Sequence, residues 1–244
     1  MKFTEEQKAS LRRQFREMGP AEKLDYIITY YKWHIFFLIL AAAILAGTVI
    51  GRVRKRTPVL YIGEINAAWG EDLEKELTSD YLKSADRDPR REEVYVYSAL
   101  YISDDPEAEN HEYAYASQLK LMGAINAGSL DVVLRNGEAY DILSQSGSLL
   151  ELPDLLSRND TALFRSAEPY LAENTVILYD NSIDVSLGNA AEAEQKTAGS
   201  VNGLLLNDMP RFCSSGLDGP VYLGVIANST REDEIVSYIR YLLS

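Results

Sequence analysis

Hydrophobic positions along this chain form one long unbroken block followed by a series of short runs. The block, Ile35 to Ile50 (IFFLILAAAILAGTVI), contains no charged residue. As a helix it covers about 24 Å, and with Trp33, His34 and Gly51 it covers about 28 Å, close to the hydrocarbon thickness of a bilayer. A helix in a soluble core carries one polar face, and this block has none. The pattern therefore predicts a transmembrane helix over residues 33–51.

The residues ahead of the block predict two helical pieces broken at Gly19-Pro20. In the first, Leu11, Phe15 and Met18 fall at i, i+4 and i+7 beside Arg12, Arg13 and Arg16, an amphipathic pattern suited to an anionic leaflet. The second, Ala21 to Lys32, brings Tyr26, Tyr30, Tyr31 and Trp33 to the start of the span, where amphipathic rings favour the headgroup layer. His34 reads as part of that interface. A cleaved signal peptide begins with a short basic stretch, so a leading segment of this length predicts a retained signal anchor. Leu45-Ala46-Gly47-Thr48 has the outline of a lipobox, but Thr48 stands where the lipid-bearing cysteine would be.

Beyond Pro58, short β-rich runs alternate with helical patterns. Val59 to Ile65 predicts a strand, Glu71 to Lys83 a polar helix, and Glu93 to Ile102 a second strand. Glu107 to Ala127 predicts a long helix with Tyr115, Leu119, Met122 and Ile125 at helical spacing, and Leu130 to Leu134 a short buried strand. Strand, helix, strand, helix, strand predicts a parallel sheet with ligands beyond the carboxyl ends of its strands. Further on, Thr161 to Glu173 predicts a helix. Thr175 to Tyr179 and Ile183 to Leu187 predict strands around Asp180-Asn181-Ser182, and Ala190 to Gly203 a loose polar insertion. Glu232 to Leu243 predicts a closing helix with Ile235, Val236, Ile239, Leu242 and Leu243 in one stripe.

Charge separates the two sides of the block. Residues 1–56 hold 11 Lys and Arg against 5 Asp and Glu, whereas residues 57–244 hold 13 against 32. So acidic a domain is repelled by phosphate backbones and anionic headgroups, which argues against nucleic-acid binding. Orientation is less direct. Arg52, Arg54, Lys55 and Arg56 outnumber Lys23 and Lys32 beside the span, and that count alone puts the large domain in the cytoplasm. Large domains, however, cross largely regardless of charge.

The residues for common chemistries are missing. Cys213 is the only cysteine, which excludes an intrachain disulfide. HExxH, GxSxG, Walker, GxGxxG and CxxC patterns are absent, and His111 is the only histidine beyond the membrane region. His111 reads as a surface residue, and Asp104-Asp105 and Glu232-Asp233 as acids at helix starts. No enzyme, cofactor or metal site is predicted. Asn159-Asp160-Thr161 and Asn228-Ser229-Thr230 match the glycosylation sequon, without weight in a chain of bacterial type.

Three segments carry a resemblance: Gly128-Ser129-Leu130-Asp131-Val132-Val133, then Glu138-Ala139-Tyr140-Asp141-Ile142-Leu143, then Gly147-Ser148-Leu149-Leu150-Glu151-Leu152. Together they resemble the extracellular solute-binding proteins of ABC importers, of periplasmic binding protein type 2 kind. Gly219 to Thr230 and the following helix look like the stretch where such chains return to their first lobe. The whole layout, with Tyr30-Tyr31-Lys32-Trp33-His34-Ile35 ahead of the span, also resembles a group of uncharacterised single-span proteins of clostridial, Gram-positive bacteria. These likenesses imply a cytoplasmic amphipathic tail (1–32), the span (33–51), a basic linker (52–57) and an extracellular domain (58–244) with a reduced, binding-protein-like α/β fold on a parallel or mixed sheet. The main lobe would take 58–153 and 220–244, and a small second lobe 154–219.

If a ligand is bound, the loops after the strands offer Asn66 and Trp69, then Arg135, Asn136 and Glu138, with Asn181 and Asp184 from the crossing region. Asn and Asp are also ordinary turn residues, and Trp69 also suits the cap of a core. Two functions fit this reading. One is a tethered, non-catalytic binding protein that captures a small polar solute for an ABC permease, another transporter or a sensor. The other is a module that contacts another envelope protein and keeps the scaffold without a small ligand.

Overall fold

The computed structural model describes residues 19–54, 56–105, 110–181, 194–213, 217 and 219–244. It divides into two compact units, residues 1–55 and 56–244. The expected helix around Leu11, Phe15 and Met18 lies outside the described residues.

The first unit is the helix α1, Pro20–Arg54. Pro20 suits a first helical position because its missing N–H would be unsatisfied there, and the Gly19 N–H donates to Glu22 Oε2 (3.0 Å). Tyr31 departs from helical dihedrals (φ −111°, ψ 15°), which marks a kink between the aromatic piece and the apolar block. Residues Tyr31–Thr48 have a mean hydropathy of 1.5, and none of them is buried. By length and composition this helix can cross a membrane.

The second unit is a mixed α/β layer structure. Its strands are β1 (Thr57–Ile65), β2 (Glu92–Leu100), β3 (Val132–Arg135), β4 (Leu171–Asp180), β5 (Gln195–Leu205) and β6 (Tyr222–Val225), in one sheet of order β2-β1-β3-β6-β5-β4. β1 pairs in parallel with β2 and β3, with Tyr61 opposite Tyr95 and Ile62 opposite Val132. The remaining pairings are antiparallel. Helices α2 (Glu71–Lys75) and α3 (Tyr81–Ser84) are joined by a π-helical turn, Glu76–Asp80. Then come α4 (His111–Asn126), α5 (Gly137–Gln145), α6 (Leu152–Asn159), α7 (Thr161–Ala167) and α8 (Glu232–Leu242).

Alternation along the strands divides the core between the two sheet faces. Leu60, Ile62, Val132, Leu134, Leu223 and Val225 point one way, against Leu77, Tyr81, Leu155, Ile235 and Ile239. Ile65, Val133 and Leu100 point the other way, against Leu121 and Ala124 of α4 and Tyr140 and Leu143 of α5. Asp131, just ahead of β3, is fully buried yet satisfied. Its carboxylate accepts from the Tyr61 N–H (2.9 Å), Ser229 Oγ (2.5 Å) and Arg231 Nη1 (3.2 Å), joining β1, β3 and the turn before α8.

Four expectations change. The helix from Thr161 ends at Ala167 and tightens into a 3-10 turn, Glu168–Tyr170, and Leu171 to Glu173 belong to β4; Pro169, inside that turn, has no N–H with which to continue the α-helical ladder. The stretch expected as a loose insertion forms β5 from Gln195 on. Its outer part is defined by backbone pairing with β4 rather than by buried side chains, so its composition hid it. Helix α4 buries Ala114, Ser117, Leu121 and Ala124, while Tyr115, Leu119 and Met122 face outward. Residues 154–219, expected as a second lobe, supply α6, α7 and the strands β4 and β5 of the same sheet. The expected strand Ile183 to Leu187 lies outside the described residues.

Candidate functional site

At the β1/β3 switch point the strand order reverses, since β2 lies on one side of β1 and β3 on the other. Crevices at such points are where α/β sheets take ligands. Asn66 ends β1 in the left-handed region (φ 51°), a conformation Asn tolerates better than most residues. Its amide clasps one residue on both sides: Nδ2 donates to the Ile102 carbonyl (2.6 Å), and Oδ1 accepts the Ile102 N–H (2.8 Å). Asn136 caps α5, its Oδ1 accepting from the Ala139 N–H (3.0 Å). Glu138 accepts from Ser103 Oγ (2.6 Å). The structure thus places Asn66, Asn136 and Glu138 at the ends of β1 and β3, where Asn66 and Glu138 clamp the chain leaving β2 and Asn136 caps α5.

The other candidates lie elsewhere. Trp69 is half-buried against the core on the opposite face. Asn181 closes the β4–β5 ribbon, its Oδ1 accepting from the Glu194 N–H (2.6 Å). Asp184 lies outside the described residues.

Arg135 is fully buried. Its guanidinium lies 4.6 Å from the ring centre of Tyr140, and Nη1 donates to the Val133 carbonyl (3.3 Å), while Nε and Nη2 have no partner among the described residues. Burial pulls its pKa down to about 9, and burial likewise pushes Tyr140 up to about 12. Two glycines admit this pair. A Cβ on Gly224 would collide with the guanidinium, and one on Gly203 would sit 2.6 Å from the Tyr140 hydroxyl. Sequence reasoning missed Glu64, nearly buried one residue before the end of β1, where burial raises its carboxyl pKa. A lone acid inside the run VLYIGEI was the available signal.

A cavity of about 420 Å³ lies between α4, α5 and the segment leaving β2. Ile102, Leu121, Met122, Ile125, Ile142 and Leu143 supply its apolar lining, and Ser103, Asp104, His111, Gln118, Ser146 and Ser148 its polar groups. Its size falls within the range of small-molecule sites. Three of the polar groups are engaged: Ser103 with Glu138, Ser146 Oγ with the Leu143 carbonyl (2.9 Å), and Ser148 with Ser146 through their hydroxyls (2.7 Å). The side chains of Asp104, His111 and Gln118 make no hydrogen bond or ion pair among the described residues. Among the described residues, no group of three or more His, Cys, Asp or Glu could hold a metal ion.

Compared with family models, curated proteins and solved structures, the chain matches none.

Proposed function

We propose that this chain is a membrane-anchored, non-catalytic binding protein whose α/β unit stands outside the cell and captures a small solute for a transporter or sensor. The observation that carries this reading is the α4–α5 cavity, apolar at its floor with unengaged polar groups at its rim. A binding-protein-like scaffold is supported by the 2-1-3 order of parallel strands and by the return of the chain as β6 beside β3 before α8 closes it. A single sheet in place of two lobes sets the binding mode apart: capture takes place within one layer, between helices, rather than by closure. The lining favours an apolar body with a polar end over a sugar-like solute. In the full chain held in lipid nanodiscs, a panel of small amphipathic and polar molecules is expected to contain members that raise the unfolding midpoint. A ligand at a hundred times its dissociation constant adds about 2.7 kcal/mol.

A second reading, a protein-contacting module, is favoured by one observation. Tyr115, Leu119 and Met122 form an outward stripe on α4, each more than half exposed. A silent panel on a well-folded chain would give that reading precedence.

The outward orientation has its own test. Cys213 is the only cysteine and is exposed. A membrane-impermeant maleimide is expected to label it on intact cells. Labelling only after lysis would place the α/β unit in the cytoplasm.

A further inference from the structure

The cavity also has a sign. Among the described residues, no Lys or Arg lines it, and its one charged rim group is Asp104, whose carboxylate is exposed and unengaged. Asp105 and Glu112 lie next along the chain to rim residues, and Glu138 binds rim residue Ser103. This edge belongs to a unit with 13 basic against 32 acidic residues. A cleft lined by one sign of charge with low-dielectric walls concentrates the opposite ion. The floor, by contrast, has only carbon to offer: Leu121, Ile125, Ile142 and Leu143 are buried or half-buried side chains of two facing helices. A volume of about 420 Å³ corresponds to roughly a dozen waters at ~30 Å³ each, and so to a ligand of about that many heavy atoms.

On the binding reading above, we infer that the α4–α5 cavity takes a small organic amine: an apolar, chain-like or aromatic body seated on Leu121, Ile125 and Leu143, with its ammonium at the rim against Asp104. Gln118 and His111 are placed at the same rim as neutral hydrogen-bonding groups for the ammonium or a second polar substituent. A carboxylate-ended ligand of the same body meets an acidic edge with no cation to receive it. A neutral one keeps the apolar contacts and forgoes the ion pair.

The test uses three probes with one body, phenylbutylamine, phenylbutanol and phenylbutanoate, titrated calorimetrically into the full chain in phosphatidylcholine nanodiscs. Empty nanodiscs are subtracted to remove partitioning into lipid. The amine is expected to bind roughly tenfold more tightly than the alcohol, the strength of a partly exposed ion pair, and the acid not measurably. Asp104→Asn, which breaks no contact in the fold, is expected to bring the amine to the level of the alcohol. Gln118→Phe, which fills the cavity from an exposed helix position, is expected to abolish binding of both. Equal binding of amine and alcohol, with no effect of Asp104→Asn, would overturn the amine class and leave the cavity as a site. Binding untouched by Gln118→Phe would overturn the location. No binding by any of the three would overturn the inference, and the broader panel then decides whether solute capture falls with it.

Discussion

Replacing Asp131 with alanine is expected to cost about 3–5 kcal/mol of stability. The carboxylate is fully buried and accepts three hydrogen bonds, from the Tyr61 N–H, Ser229 Oγ and Arg231 Nη1. Removing it strands a strand N–H and leaves the Arg231 guanidinium, packed 4.7 Å from the ring centre of Tyr61, with the Gly128 carbonyl but no counter-charge. Leaving one partner of such a cluster uncompensated costs far more than the cluster contributes relative to an apolar replacement. Urea unfolding should show a lower midpoint at unchanged slope. A loss below about 1 kcal/mol would mean that solvent replaces these contacts and that the junction of β1, β3 and the turn before α8 is not closed as described.

Arg135→Met is expected to act in the opposite direction, raising stability by about 1–3 kcal/mol, or the melting midpoint by roughly 3–10 °C for a domain of this size. Arg135 is as buried as Asp131 but carries two unpartnered nitrogens and no facing carboxylate. Methionine keeps an unbranched body against Tyr140 and gives up the cation–π contact, worth about 0.5–2 kcal/mol, and the long hydrogen bond to the Val133 carbonyl. The sign with pH follows from the lowered pKa. Above about 9 the unfolded chain binds the proton more tightly than the folded one, so the cost of burying the charge is fully present below about 9 and fades as pH rises. The gain from Arg135→Met should therefore be constant from pH 6 to 8 and begin to shrink above 9. A destabilised variant would show that the guanidinium has partners in solution.

The contrast between these two residues shows where the sequence could be read and where it could not. The apolar block, the strands β1 to β3 and the amphipathic α8 were legible because burial imposes a period on them: none in the span, two in the strands, 3.6 in the helix. Strand β5 was not, because it meets β6 only at Leu204 and Leu205 and its outer part is stabilised by backbone pairing with β4 that leaves no side-chain pattern. Helix α4 misled because its large residues face outward and its small ones, Ala114, Ser117 and Ala124, face the sheet.

The switch-point rule pointed to the edge beyond β1 and β3, and Asn66, Asn136 and Glu138 lie at the ends of those strands. Their side chains are already spent on Ile102, Ala139 and Ser103, a distinction that residue type does not carry. The cavity was illegible for a related reason. It is made by the spacing between two helices, and its lining residues read in the sequence as helix positions (Met122, Ile125), surface (His111) or a helix start (Asp104) rather than as one site.

The measurement that bears most directly on the central claim is the ligand panel run in parallel on the wild-type chain and Gln118→Phe, with the unfolding midpoint in nanodiscs as readout. If the α4–α5 cavity is the binding site, compounds that raise the wild-type midpoint leave the variant unmoved, while the two unliganded proteins unfold within a few degrees of each other. Ligands that stabilise both proteins equally would contradict the account and send the search back to the open edge beyond β1 and β3.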